Sequence, residues 1–305
     1  MLHNKDQIAQ LNEKLTREFG PIVMEKMADD AVVEIMLNPD GQLWEDRLGV
    51  GMACIGEMSA AFAESAIGTV AVLSGLEVGP AKPILEVELP ERFGHARFEA
   101  LLPPVAARPV FTIRKRASVI FTLDEYVTRG ILDDEKATLL QKAVRERRNI
   151  LVAGGTGSGK TTLLNALLHE MAMQCGDDRV VIMEDTPELQ CAAKNAVFLR
   201  TAGDIDMTRL LKATMRLRPD RIILGEVRDG AALAMLKSWN TGHPGGLCTV
   251  HANSAAAALV RIGQLVQEAN VPPQDALIDE AVDVVVFITK TKEGRRTVPE
   301  VVLRH

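Results

Sequence analysis

Asn149-Ile150-Leu151-Val152-Ala153-Gly154-Gly155-Thr156-Gly157-Ser158-Gly159-Lys160-Thr161-Thr162-Leu163-Leu164 runs from an apolar strand pattern, through a glycine-rich turn, into a helical pattern. Residues 154–161 complete the spacing G-x-x-x-x-G-K-[ST]. That spacing between a strand and a helix is a phosphate-binding loop. Gly154, Gly155, Gly157 and Gly159, with Thr156 and Ser158 between them, let backbone N–H groups curl around a polyphosphate. The start of the helix, Lys160-Thr161-Thr162, adds the partial positive charge of its N-terminus. Lys160 is placed for the β- and γ-phosphates, and the Thr161 hydroxyl for Mg²⁺. A plain glycine turn has no use for that lysine or threonine, so the stretch predicts ATP and Mg²⁺ as ligands.

Outward from the loop the pattern alternates. Strands are expected at 149–153, 179–183, 197–200, 221–225, 246–250 and 283–289. Helices are expected at 133–146, 160–173, 206–217, 229–240, 255–268 and 274–281. Such alternation predicts an α/β domain, a parallel sheet covered by helices, with the loop at the carboxyl end of a strand where such sheets bind ligands. The first half reads differently. Ile8, Leu11, Leu15 and Phe19 have helical spacing, and 31–37 and 42–45 read as strands around the turn Asn38-Pro39-Asp40-Gly41. A helix is expected over about 57–73, then strands near 84–89, 96–101 and 110–113. The expected division is an α+β domain at 1–116, a connector at 117–132 with a helix start at Thr122-Leu123-Asp124-Glu125, and the α/β domain at 133–305.

Composition bounds the partners. Hydrophobic residues make up 47% of the 305, enough for two cores, and the formal net charge is −6. A net acidic chain argues against broad electrostatic binding to nucleic acid. Cys54, Cys175, Cys191 and Cys248 show no C-x-x-C spacing, which suits a reducing compartment. Met1 to Gln7 lack the apolar core of a signal peptide. The most apolar stretch, 52–76, contains Glu57 and Glu64 and reads as a buried helix rather than a bilayer span. The expectation from these features is a cytoplasmic chain whose membrane contact, if any, is peripheral.

Hydrolysis of a triphosphate needs a group to orient water, metal support and positive charge on the departing phosphoryl. Arg221-Ile222-Ile223-Leu224-Gly225-Glu226 is an apolar strand ending in a carboxylate, and Glu226 is the candidate for activating water. Its bland alternative is a simple pairing with Arg228. Gly225 stands where many phosphate-loop ATPases carry a metal-supporting aspartate. Val180 to Glu188 is a second strand with acidic residues at its tip, and spacing does not rank Glu184, Asp185 and Glu188. His251, at the end of Leu247-Cys248-Thr249-Val250, is positioned to contact the γ-phosphate or to relay its presence.

With these four segments in order, the chain resembles the secretion ATPases of type II and type IV systems, and within them the TrbB-type conjugal transfer ATPases. Residues 151–165 and 217–228 carry the closest likeness, with weaker likeness at 38–41 and 97–104. The resemblance implies a RecA-like phosphate-loop ATPase domain, a homohexameric ring with nucleotide held between the two domains, and a cytoplasmic place at the inner-membrane base of a secretion machine among its other components. It also implies that N-terminal arginines reach the nucleotide, with Arg97, Arg108 and Arg114 as candidates. Pilus assembly, substrate unfolding and DNA transfer all remain open as the work done. A DNA-gripping translocase fits poorly with 4% aromatic residues. A phosphotransferase would need an acceptor pocket that no motif marks, and Leu73-Ser74-Gly75-Leu76 is an incomplete transporter signature lying ahead of the loop.

Overall fold

A computed structural model describes residues 5–47, 50–116, 120–291 and 294–304. Residues 1–4, 48–49, 117–119, 292–293 and 305 of the ranges expected above lie outside the described residues. The chain divides into two compact units, Met1–Val119 and Ile120–His305.

The first unit contains α1 (Lys5–Ala28), β1 (Val32–Leu37), β2 (Gln42–Arg47), β3 (Gly51–Glu57), α2 (Ala60–Leu73), β4 (Ile84–Glu88), β5 (Arg97–Leu101) and β6 (Val110–Arg114). Its strands form an antiparallel sheet in the order β3-β2-β1-β6-β5-β4. Leu15, Phe19 and Val23 of α1 and Ala63, Ile67 and Val70 of α2 share one core with Ile35, Phe98, Phe111 and Ile113 of the sheet. Phe98 and Phe111 stack at 5.6 Å between ring centres, and Phe19 meets Phe93 edge-on at 5.8 Å. The helix expected near residues 6–19 continues to Ala28 through a kink. Gly20 takes φ 73° and ψ 174°, which turns the chain where Pro21 cannot donate its backbone hydrogen bond.

The apolar stretch 52–76 is not one helix. Gly51–Glu57 forms the edge strand β3, and α2 begins only at Ala60, capped by Ser59 Oγ accepting from Phe62 N at 3.3 Å. Two glycines belong to the strand. Gly51 sits at φ 96° and Gly56 at φ 153°, and a Cβ on Gly56 would stand 2.7 Å from Ile22 Cδ1.

The second unit contains α3 (Leu123–Thr128), α4 (Asp134–Arg145), β7 (Ile150–Gly154), α5 (Lys160–Gln174), β8 (Arg179–Glu184), β9 (Asn195–Arg200), α6 (Met207–Thr214), β10 (Arg221–Leu224), α7 (Ala231–Asn240), β11 (Leu247–His251), α8 (Ala255–Gln267), α9 (Asp275–Ala281), β12 (Val284–Lys290) and β13 (Arg296–Leu303). The sheet order is β13-β12-β7-β11-β10-β8-β9, parallel except for the edge strand β13. β7 and β10 are buried along their whole length, which is why they read as unbroken apolar runs. Helices α3, α4 and α5 contribute to one core cluster, and α6 to α9 to the other.

Residues 120–132, expected as connector, are built into this unit. Thr122 and Glu125 close a reciprocal capping box at the start of α3. Leu123, Tyr126 and Leu132 are buried in the same cluster as Leu163 and Leu167 of α5. At the amino end of the sheet, fully buried Arg221 donates to Asp178 at 2.6 Å and to the Val144 carbonyl at 3.0 Å. A buried guanidinium without such partners would be costly, so this end of the sheet is structurally committed and the carboxyl end carries the chemistry-bearing groups.

Candidate active site

Four parallel strands bring the predicted segments to one edge. His251 is the register partner of Gly154, and Leu224, two residues before Glu226, pairs with Met183 on one side and Cys248 on the other. Hence the phosphate loop after β7, His251 at the end of β11, Glu226 after β10 and Glu184 at the end of β8 stand side by side.

The loop is closely fitted. Gly157 and Gly159 take φ 67° and 99°, conformations that favour glycine. A Cβ on Gly154 would lie 2.4 Å from both the Ile288 carbonyl oxygen and Ser158 Oγ. Ser158 Oγ is buried without a hydrogen-bond partner. Gly159 caps α5 with no side chain, so the first N–H groups of that helix have no side-chain acceptor. Backbone donors, an unspent hydroxyl and a helix N-terminus suit a polyphosphate.

Lys160 is 8% exposed. Its Nζ donates to the Gly155 carbonyl at 3.0 Å and lies 3.3 Å from His251 Nδ1. His251 Nε2 is 2.8 Å from Glu226 Oε1. The other carboxylate oxygen of Glu226 accepts from Arg228 Nε at 2.9 Å and Nη2 at 2.6 Å. The bland pairing of Glu226 with Arg228 is therefore present, and the contact with His251 accompanies it. Burial first, and the Lys160 ammonium next, hold the His251 imidazolium below its ordinary pKa, with Glu226 pulling the other way. The neutral imidazole is thereby favoured beside the phosphate loop.

The three acidic residues of β8 and its following turn have different surroundings. Glu184 is 5% exposed, and its Oε1 accepts from the backbone N–H groups of Glu188 and Leu189, both at 2.9 Å. Asp185 is exposed and accepts from Thr201 Oγ1 at 3.1 Å. Glu188 is half-buried, and with Asp185 it contributes to the field at Arg228. Thr249 went unmarked in the sequence. Its hydroxyl donates to the Gly225 carbonyl at 2.7 Å, and its carbonyl accepts from Val227 N at 3.0 Å, fixing the backbone on both sides of Glu226. A lone hydroxyl in the run Leu247-Cys248-Thr249-Val250 was the available signal.

Among the described residues no group of three or more His, Cys, Asp or Glu is arranged to hold a metal. A Mg²⁺ that arrives on a nucleotide takes only one or two protein oxygens beside phosphate and water. The hydroxyl of Thr161, in the first turn of α5, fits that donor set.

The N-terminal arginines belong to the first unit. Arg97 and Arg114 face each other across β5 and β6, flanked in register by Glu88 on β4 and Glu34 on β1. This row alternates carboxylate and guanidinium only at its ends, so its centre is positively charged. Arg108 lines a cavity of about 370 Å³ with Asn38, Asp40, Glu57 and Ser59.

The family described as "Type II/IV secretion system protein" matches residues 62–295. The "Probable conjugal transfer protein TrbB" of Sinorhizobium fredii is 54% identical over 287 residues, covering 94% of this chain and 88% of the relative. The VirB11 ATPase of the Brucella suis type IV secretion system, solved with sulphate, is similar with a TM-score of 0.52 at 24% identity, over 98% of this chain and 97% of that one. The Legionella pneumophila ATPase DotB gives 0.65 at 18% identity, over 92% and 79%. The two solved structures share the fold, and the second unit is RecA-like. Matched along most of its length by profile and by sequence, the chain belongs to the type II/IV secretion system protein family.

Proposed function

We propose that this chain hydrolyses ATP and is the motor ATPase of a type IV secretion apparatus of the conjugal transfer kind. The observation that carries this reading is the contact sequence from Lys160 through His251 to Glu226 at the carboxyl edge of the sheet. The loop N–H groups and Lys160 take the β- and γ-phosphates. Thr161 holds Mg²⁺, which neutralises phosphate charge when bound. Glu226 orients the attacking water. Neutral His251, between Glu226 and Lys160, senses the γ-phosphate, because an arriving anion favours its protonated form. Asp185 and Glu188 tune the field at Arg228, and Glu184 holds the turn that carries them.

Arg97 and Arg114 serve the nucleotide through a guanidinium fork, as the resemblance implies, and the working form is a ring of six copies. The chain acts at the cytoplasmic face of the inner membrane with other components of the apparatus. Among the described residues no helix is long and apolar enough to cross a membrane.

The test is phosphate release from ATP without any acceptor, with the mass in solution measured with and without ATP. Release that Lys160→Ala abolishes, from a species about six times the chain mass, supports the reading. Turnover unchanged in Lys160→Ala, or release only when an acceptor is added, overturns it.

A further inference from the structure

The phosphate loop has two flanks, and only one is used by the groups described so far. In the sheet β7 lies between β11 and β12. His251 and Glu226 approach from the β11 and β10 side. The β12 and β13 side brings a different residue.

Arg296 opens β13. Its side chain lies against the N-cap of α5. A Cβ on Gly159 would stand 3.1 Å from Arg296 Cδ, 3.2 Å from its Nε and 3.6 Å from Ile288 Cδ1. The Nε is buried and has no hydrogen-bond partner. The phenol of Tyr126 is an electrostatic neighbour, and burial pushes its pKa far above the ordinary value, so it stays neutral and supplies no counter-charge. A guanidinium at the positive end of a helix, beside a loop that already carries Lys160, is electrostatically unfavourable by itself. A buried N–H donor left unspent adds to that cost. An anion at the loop would relieve both.

We propose that Arg296 is a nucleotide-binding residue that contacts the α-phosphate end of the bound nucleotide. This rests on the ATPase reading above. The β–γ bond must lie toward Glu226 and His251 if those groups act on it. The opposite flank, where Arg296 lies, then faces the α-phosphate. An arginine there binds ATP and ADP alike and contributes to holding the substrate rather than to breaking its bond. Glycine at 159 serves this arrangement as well as the loop's own φ of 99°, because a side chain there would push Arg296 away.

The experiment measures ADP and ATPγS affinity by calorimetry, and kcat and KM for ATP, in wild type, Arg296→Ala and Arg296→Lys, with circular dichroism melting to confirm the fold. The expected result is that Arg296→Ala weakens both nucleotides by roughly 10- to 100-fold, the loss of one or two charge-assisted hydrogen bonds. KM rises in parallel and kcat changes by less, while Arg296→Lys recovers part of the affinity. Unchanged affinity in a folded Arg296→Ala overturns the proposal, as does loss of ATPγS binding with ADP spared, which would put the guanidinium at the γ-phosphate. If Arg296→Ala does not fold, Arg296→Lys decides, since a merely structural cation leaves both affinities at the wild-type value. A wild-type chain that binds neither nucleotide defeats the ATPase reading itself.

Discussion

Glu184 occupies the space that a side chain at position 225 would need. A Cβ on Gly225 would stand 2.9 Å from Glu184 Cγ and 3.3 Å from Oε1. Glu184 is not free to retreat, since that same Oε1 accepts from Glu188 N and Leu189 N. The glycine before Glu226 is therefore a packing requirement of this sheet. Two neighbouring strands meet there at backbone distance, and the carboxylate that many phosphate-loop ATPases carry on β10 has no room here.

Gly225→Ala overpacks that contact. Inserting a methyl into a filled site typically costs 1–3 kcal/mol. Melting should fall by roughly 2–4 °C per kcal/mol for a domain of this size. ATP turnover should fall with it, because Glu226 is the next residue. A variant that melts with the wild type would mean that Glu184 yields without cost.

Lys160 and Glu226 pull the His251 imidazole in opposite directions. Lys160→Ala should raise the His251 pKa toward its ordinary value, and Glu226→Gln should lower it further. Proton NMR titration reads both shifts. The chain has six histidines, so His251→Gln is needed to assign the resonance. Shifts in the same direction for the two variants would refute the arrangement.

The lowered His251 pKa has a consequence for stability. As pH falls, the unfolded chain takes up this proton first, near the ordinary value of about 6.5. Stability is unaffected by His251 well above that pH, and is lost as pH drops from it through the lower folded value. Urea midpoints without nucleotide should therefore fall less between pH 7.5 and 5.5 in His251→Gln than in wild type. Equal falls would mean that the imidazole titrates normally in the folded chain.

The second unit was legible because its central strands are buried on both faces. β7, β8, β10, β11 and β12 read as short apolar blocks, and each candidate residue from those blocks sits at or just beyond a carboxyl end. Position along the chain was then enough to place Lys160, Glu226, Glu184 and His251 on one edge. β3 was not legible, because Met52-Ala53-Cys54-Ile55 merges in composition with the alanine- and valine-rich α2. Its strand character comes from pairing with β2, a long-range fact. Arg296 was equally silent. It lies far along the chain from the loop, and only the β12–β13 hairpin brings it to Gly159.

The segment ahead of α4 offers the last test, because its role is energetic and separable from chemistry. Residues 120–132 have a connector's composition, yet Tyr126 is 2% exposed and packs in the cluster beneath α5. Truncating a large buried ring to alanine costs roughly 3–5 kcal/mol. Tyr126→Ala should thus destabilise the second unit strongly, though it leaves every group of the proposed nucleotide site in the chain. A fragment starting at Ile120 should fold and bind nucleotide through the loop. One starting at Asp133 loses Leu123, Tyr126 and Leu132 together, and should melt well below it or fail to fold. Matching melting curves for the two fragments would show that this segment is a tether after all.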